Sequence, residues 1–219
     1  MTATIIGATG LIGGYLLEEL LKDNYYDTVR IIIRRPLELT HPKLEKKLVD
    51  FNDYESFRLA LEGTDVVFCT IGTTQKKVKG DKAAYRKIDY DIAVHAAQYC
   101  QLNGCETFVL VSAVGANSKS SNFYLKLKGE IEDSVKAVGL KSVHIMRPSV
   151  LTGDRKEFRF AERISIGIMS GLSFLVPSKY KAIHARDVAK AMSVAAKMKK
   201  EGFTIYEYKE IKSNLQNAE

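Results

Sequence analysis

The stretch "TIIGATGLIGGYLLEELL" (Thr4–Leu21) decides how the rest of the chain is read. An apolar run ends at Gly7. Gly10 and Gly13 follow at regular intervals, Gly14 comes directly after, and Ile12, Leu16 and Leu20 then recur at helical spacing. Glycine weakens regular structure, so a cluster of it between a strand and a helix marks backbone that needs room. In a parallel α/β sheet the first strand-to-helix turn lies where a dinucleotide pyrophosphate rests against a helix N-terminus. Gly7 then serves the tight turn, Gly10 the approach of backbone N–H groups to the phosphates, and Gly13 the close packing of helix on sheet. The spacing is G-x-x-G-x-x-G rather than G-x-G-x-x-G; its weight comes from its place after a strand and before an amphipathic helix. Thr9, Leu11 and Ile12 share the turn and join the glycines in the expected cofactor site. The alternative is a structural turn with no ligand.

Outward from this stretch, short apolar runs alternate with helical patterns. "TVRIIIRR" (Thr28–Arg35), "KLVDF" (Lys47–Phe51), "DVVFCTIG" (Asp65–Gly72), "TFVLVS" (Thr107–Ser112), "SVHIMR" (Ser142–Arg147) and "FTIYEY" (Phe203–Tyr208) read as strands buried on both faces. Between them, Lys82–Gln101, Asn122–Ala137 and Arg186–Met198 read as helices. The alternation predicts a Rossmann-type, doubly wound parallel sheet, as one NAD(P)-binding domain over residues 1–219 with a short substrate-side region at the C-terminal end.

Bulk composition narrows the function class. The chain has 219 residues, 46% hydrophobic and 27% charged, with a net charge of +7, within the range of soluble globular domains. The excess charge admits nucleic acid, acidic membrane or an anionic small molecule. The densest cluster, Gln75–Lys82, reads as a solvated loop, and no nucleic-acid motif accompanies it, so no nucleic acid partner is expected. The longest apolar stretch, Ile164–Val176, is too short to span a bilayer and predicts a buried or pocket-lining helix. Cys69, Cys100 and Cys105 form no CxxC and read as packing residues without a disulfide framework. With no leader pattern at the start, they predict a cytoplasmic protein. The four histidines lack metal-ligand spacing, so no metal site is expected.

The second strand speaks to the cofactor. Where an acid would accept from the adenosine ribose, the chain places Arg34 and Arg35. Two guanidinium groups suit a 2′-phosphate and favour NADP(H) over NAD(H); a pair of plain surface arginines is the alternative. Asp50, with Phe51 beside it, can accept from the adenine amino group or simply turn the chain. Gly72 permits close approach of the cofactor or makes a turn, and Thr73 offers a hydroxyl there.

After the fifth strand, "SAVGANSKSSNFYLKLK" holds Ser112, Tyr124 and Lys128. Tyr124 and Lys128 are i,i+4 and share a helix face. A phenol titrates near about 10 and needs a neighbouring ammonium to serve as acid or base at neutral pH. The lysine can also bond nicotinamide-ribose hydroxyls, and Ser112 can hold a substrate carbonyl or alcohol oxygen. Y-x-x-x-K by itself is expected about once by chance in such a composition. It recurs at Tyr208 and Lys212, but Ala196 stands where the upstream serine should be, so context selects Tyr124 and Lys128.

"GATGLIGG", Ser112 and the Tyr124–Lys128 pair together resemble the short-chain dehydrogenase/reductase superfamily in its extended or atypical branch. "VVFCTIGTTQKK", "YRKIDYDIAVHAA", "SKSSNFYLKLKGEIE" and "MRPSVLTGDR" are similar to its Tat-interacting-protein-like (CC3-like) oxidoreductases, over nearly the whole chain. The resemblance implies a Rossmann fold, NADPH at Gly7, Gly10, Gly13, Arg34 and Arg35, and catalysis by Ser112, Tyr124 and Lys128. Asp89 stands where many members have an asparagine; it can anchor a water beside Lys128 or face solvent. Arg147, grouped with the cofactor site, together with Pro148 and Ser149, rims the pocket or shapes the turn. His184 and Asp187 mark the start of the last long helix.

The expectation is therefore an NADPH-dependent oxidoreductase acting on a small carbonyl or alcohol, as monomer or dimer. Two alternatives stand beside it. One is a cofactor-binding regulatory protein like the NmrA-type sensors. The other is a nucleotide-sugar epimerase, which the short region after Gly153 disfavours.

Overall fold

The computed structural model describes residues 1–153, 177–198 and 200–216. Its strands are β1 (Thr2–Ile6), β2 (Thr28–Ile33), β3 (Leu44–Leu48), β4 (Val66–Cys69), β5 (Thr107–Val111), β6 (Ser142–Met146), β7 (Leu151–Thr152), β8 (Ile183–His184) and β9 (Gly202–Tyr206). A seven-stranded sheet runs in the order β3-β2-β1-β4-β5-β6-β9, and every pairing in it is parallel. The order reverses between β1 and β4, which opens a crevice at their C-terminal ends. The short parallel pair β7–β8 stands apart from it. This is the Rossmann-type doubly wound sheet expected from the sequence.

The helices are α1 (Leu11–Lys22), α2 (Tyr54–Ala60), α3 (Lys82–Arg86), α4 (Ile92–Leu102), α5 (Phe123–Ala137), α6 (Ala185–Lys197) and α7 (Tyr208–Gln216). Because side chains alternate along a strand, the inner strands feed two cores. Ala3, Ile5, Val29 and Ile31 pack with Leu16 and Leu20 of α1 and with Val188 and Met192 of α6. Ile6, Ile32, Val67 and Phe108 pack with Phe57 of α2, Ala96 of α4 and Ile131 of α5. Strands apolar on both sides are what this architecture demands.

Three local expectations are corrected. The third strand lies at Leu44–Leu48, ahead of the expected Lys47–Phe51. It is the sheet edge, half exposed and charged, and it is registered by Arg30 opposite Glu45, whose side chains meet at 2.6 Å. The long helical run from Lys82 holds a π-helical turn, Lys87–Asp91, between α3 and α4. Cys100 is paired with Cys105 instead of standing as a separate packing residue. Gly104, at φ 74°, turns the chain after α4, and the Cys105 N–H donates to the Cys100 carbonyl at 2.8 Å. Cys69 is free and buried. The expected helix at Ile164–Val176 lies outside the described residues.

Between β6 and β9 a buried histidine has a defined tautomer. The Ser142 hydroxyl donates to the Lys200 carbonyl at 2.7 Å, so it accepts from His144 Nε2 at 2.9 Å. His144 Nδ1 then accepts from the Tyr206 hydroxyl at 2.9 Å. Burial, with Lys200 nearby, pushes this imidazole down to about 4. The unfolded chain binds the proton near pH 6.5, so the stability tied to neutral His144 is complete above that pH and is lost as pH falls toward 4. We expect the unfolding free energy to drop by about 3 kcal/mol over that interval. Urea unfolding at pH 7.5 and 4.5, with His144→Phe as the non-titrating control, measures it; an equal drop in the control would remove His144 as the cause.

Candidate active site

The glycine turn is built by close approach. Gly7 has φ 93°, a conformation that L side chains rarely adopt. An added Cβ on Gly13 would lie 2.1 Å from the Gly7 carbonyl oxygen, so α1 can seat against the end of β1 only with glycine there. A Cβ on Gly10 would come 3.0 Å from the same oxygen. A side chain at Gly10 would therefore be tight against the turn itself. It is also the N-cap of α1, and no acidic residue stands in the first turn. The helix thus presents its positive end, with the backbone of Leu11, Ile12 and Gly13, to the crevice. The Ile12 side chain is buried in the core. Across the reversal point, Thr70 Oγ1 donates to the carbonyls of Ile6 and Gly7 at 3.0 and 3.1 Å and ties β4 to the turn. A dinucleotide pyrophosphate fits this cradle of backbone N–H groups with no Cβ in its way.

Arg34 and Arg35 follow β2 in a bend and are exposed, with no ion pair among the described residues. Asp50 lies past the end of β3, exposed, and its Oδ1 accepts from the Asn52 backbone at 2.9 Å and side chain at 2.7 Å. Phe51 packs edge-on against Phe57. Thr9 is exposed at the mouth of the turn.

The reactive constellation centres on α5. Asn122 caps the helix, its Oδ1 accepting from the N–H groups of Tyr124 and Leu125, and this fixes Tyr124 in the first turn. One turn on, Lys128 Nζ lies 3.0 Å from Asp89 Oδ2, with side chains only 7% and 1% exposed. Asp89 is not solvent-facing. It lies buried in the π-helical turn, and its Oδ1 accepts from the Thr73 N–H at 2.7 Å. A Cβ on Gly72 would meet Asp89 Oδ2 at 3.6 Å. Burial pulls the Lys128 ammonium down, but the Asp89 charge and hydrogen bond, with Tyr85 and Cys69 beside them, together outweigh it and hold the group above its ordinary value. Tyr85 and Cys69 also face it, and burial pushes the Cys69 thiol up to about 11. The Lys128 ammonium stands 6.0 Å from the centre of the Tyr124 ring. Gly129 lets the loop after β5 lie directly on α5, since a Cβ there would fall 2.1 Å from Ser118 N.

Ser112, at the end of β5, is buried and donates its hydroxyl to Glu132 Oε1. Arg147, grouped with the cofactor site in the sequence, is clamped on Glu132, with Nε to Oε1 at 3.0 Å and Nη2 to Oε2 at 2.5 Å; Glu207 lies 4.0 Å from its Nη1. The sequence does not single out Glu132, although Tyr124, Lys128 and Glu132 stand at i, i+4 and i+8 on one helix face. Ser149 donates to the Lys181 carbonyl and His184 caps α6, so both are occupied in shaping the chain. The second Y-x-x-x-K pair lies elsewhere, with Lys212 bound to Asp187 at 2.6 Å.

Residues 7–198 match the model of a family described as NAD(P)H-binding. The chain is 34% identical over 191 residues to the protein HTATIP2 of Rattus norvegicus, covering 86% of this chain and 78% of that one. It is 37% identical over 156 residues to the protein FMP52, mitochondrial, of Candida glabrata, covering 71% and 66%. Among solved structures it resembles MoeE5 in complex with UDP-glucose and NAD, with a TM-score of 0.70 at 17% identity, covering 99% of this chain and 82% of that one. It also resembles the oxidoreductase ylbE of Lactococcus lactis, with a TM-score of 0.64 at 17% identity, covering 99% and 97%. The expected cytoplasmic location is overturned here, because several relatives of this chain are named as mitochondrial proteins. Cysteine pattern and an undistinguished N-terminal sequence do not identify a compartment. No helix among the described residues is long and apolar enough to cross a membrane.

The buried pair makes a stability prediction. Lys128→Met leaves the Asp89 carboxylate buried without its counter-charge and should cost about 3–5 kcal/mol. Adding Asp89→Asn, which keeps an acceptor for the Thr73 N–H, should restore most of the loss. Urea unfolding of both variants decides it; a double variant no more stable than the single one would mean that the ion pair is not the source of the cost.

Proposed function

Because the chain belongs to the NAD(P)H-binding family and has the fold of its dinucleotide-using neighbours, we propose that it is an NADP(H)-dependent oxidoreductase. Its substrate would be a small carbonyl compound or the corresponding alcohol. The observation that carries this reading is the charged, buried Lys128 one turn from Tyr124, held by Asp89 beside the segment that leaves the C-terminal end of β4. When bound, the nicotinamide supplies hydride to the carbonyl carbon or takes it from the alcohol carbon.

Gly7, Thr9, Gly10, Leu11, Ile12 and Gly13 would hold the pyrophosphate through backbone N–H groups and the helix end. Arg34 and Arg35 would grip the 2′-phosphate, Asp50 and Phe51 would border the adenine, and Gly72 and Thr73 would line the ribose side. Lys128 would bond the nicotinamide ribose and stabilise the Tyr124 phenolate. In reduction, Tyr124 gives its proton to the carbonyl oxygen as the carbon gains hydride, and it recovers a proton from solvent. In oxidation the same steps reverse. Ser112 borders the reacting oxygen. Arg147 serves the Ser112–Glu132 cluster and is not assigned to the cofactor.

Two measurements test this. Arg34→Ala/Arg35→Ala should weaken NADPH binding by about 1.5–3 kcal/mol, with little change for NADH, because a charge-assisted contact to the 2′-phosphate is lost. Fluorescence titration with both nucleotides checks it, and an unchanged NADPH preference would defeat the assignment. A screen of carbonyl compounds and quinones with NADPH, read by loss of nicotinamide absorbance, supplies a substrate. Tyr124→Phe should then lower turnover by about 10²–10⁴-fold, with NADPH affinity near wild type. Wild-type turnover in that variant would refute the mechanism. NADPH binding with no turnover of any compound would favour a regulatory protein.

A further inference from the structure

The Ser112 hydroxyl has one proton, and its partner determines where that proton goes. Glu132 forms an ion pair with Arg147, whose guanidinium holds both carboxylate oxygens in a two-point clamp, with side chains 5% and 19% exposed. An ionised carboxylate only accepts hydrogen bonds. In the Ser112–Glu132 contact the serine is therefore the donor, and its proton is committed away from the site. The backbone around it is equally fixed: the Ser112 N–H donates to the Met146 carbonyl at 2.7 Å, which ties the end of β5 to β6, the strand that leads into Arg147. What Ser112 retains for a ligand is lone pairs.

We propose that Glu132, clamped by Arg147, is a positioning residue that fixes Ser112 as a hydrogen-bond acceptor. This rests on the oxidoreductase reading above and narrows it. Ser112 receives the O–H of the alcohol form, or of Tyr124, and does not donate to the carbonyl oxygen. Proton donation to that oxygen falls to Tyr124. The cluster draws one residue from each of three elements. Ser112 ends β5, Glu132 projects from the face of α5 that bears Tyr124 and Lys128, and Arg147 follows β6. The carboxylate needs the clamp, because a buried charge without a partner is costly.

The test is a double-mutant cycle on turnover in the full chain with NADPH, comparing wild type, Ser112→Ala, Glu132→Gln and the double variant. A residue that acts through Ser112 loses its effect once the hydroxyl is gone. We expect Glu132→Gln to lower kcat about ten-fold or more with Ser112 present and less than about two-fold in the Ser112→Ala background. NADPH affinity should stay within about two-fold throughout, since neither residue touches the phosphate turn. Equal losses in both backgrounds would make Glu132 a structural residue only and overturn the proposal. Should Glu132→Gln fail to fold, Arg147→Lys keeps the charge, removes the fork and should give the same non-additive pattern at smaller amplitude. A second readout needs no substrate. Neutron diffraction from a deuterated crystal should place the Ser112 deuteron toward Glu132, and a deuteron directed elsewhere overturns the proposal. If the deuteron points to Glu132 and no carbonyl compound is turned over, the oxidoreductase reading fails while the polarity of Ser112 stands.

Discussion

The Lys128–Asp89 ion pair is the contact on which the reactive end of this fold depends. Both charges are out of water, so each would be costly alone, and together they are held by short contact and by a second hydrogen bond from the Thr73 N–H. That one carboxylate joins three separate parts of the chain: the segment after β4, the turn between α3 and α4, and the first half of α5. A π-helical turn is an uncommon geometry in a helix and often marks a functional position. Here it holds Asp89, buried at 1% exposure, in contact with both Lys128 and the Thr73 N–H.

The other end of the crevice is made by the opposite means. Around Gly7, Gly10 and Gly13 almost no side-chain chemistry is present; what matters is the room that missing Cβ atoms leave. The contact between α1 and β1 is so close that substitution at Gly13 would displace the helix, and with it the N-terminal N–H groups aimed at the crevice. Thr70 connects the two ends. It belongs to the segment that leaves β4 toward Gly72 and Thr73, yet its hydroxyl is bound to the carbonyls of the glycine turn. A shift of the loop after β4 would therefore disturb both the cradle and the Asp89 contact.

Much of this is legible in the sequence, for a physical reason in each case. Strands buried on both faces announce themselves as continuous apolar runs, so the inner strands lie where those runs put them. β3 escapes that reading because an edge strand with charged residues lacks the signature, and its register depends on the Arg30–Glu45 contact. The run from Lys82 is helical as its pattern predicts, but a one-residue slip of period within a single turn leaves no mark in a pattern of apolar residues. Asp89 can accordingly be read as solvent-facing from sequence. The Cys100–Cys105 pairing depends on the left-handed backbone at Gly104, a conformation the spacing does not announce. Glu132 is in plain view at i+8 from Tyr124, but nothing in the sequence brings Arg147 to it; the adjacency of β5 and β6 does that.

Two buried ion pairs stand on a single face of α5, Lys128 with Asp89 and Glu132 with Arg147. Apolar side chains of similar volume would hold the helix at least as well, since desolvation cancels much of what a buried pair gains. Neither pair is part of the glycine turn or of the arginines after β2. The charges are concentrated around Tyr124 and Ser112, the two hydroxyl groups to which the proposed function gives the proton chemistry. One pair holds an ammonium beside the phenol, and the other accepts the hydrogen bond of the serine hydroxyl. In the oxidoreductase proposed above, the arrangement would separate a proton donor from an acceptor within one small region, the division of labour that hydride transfer to a carbonyl asks of the protein around it.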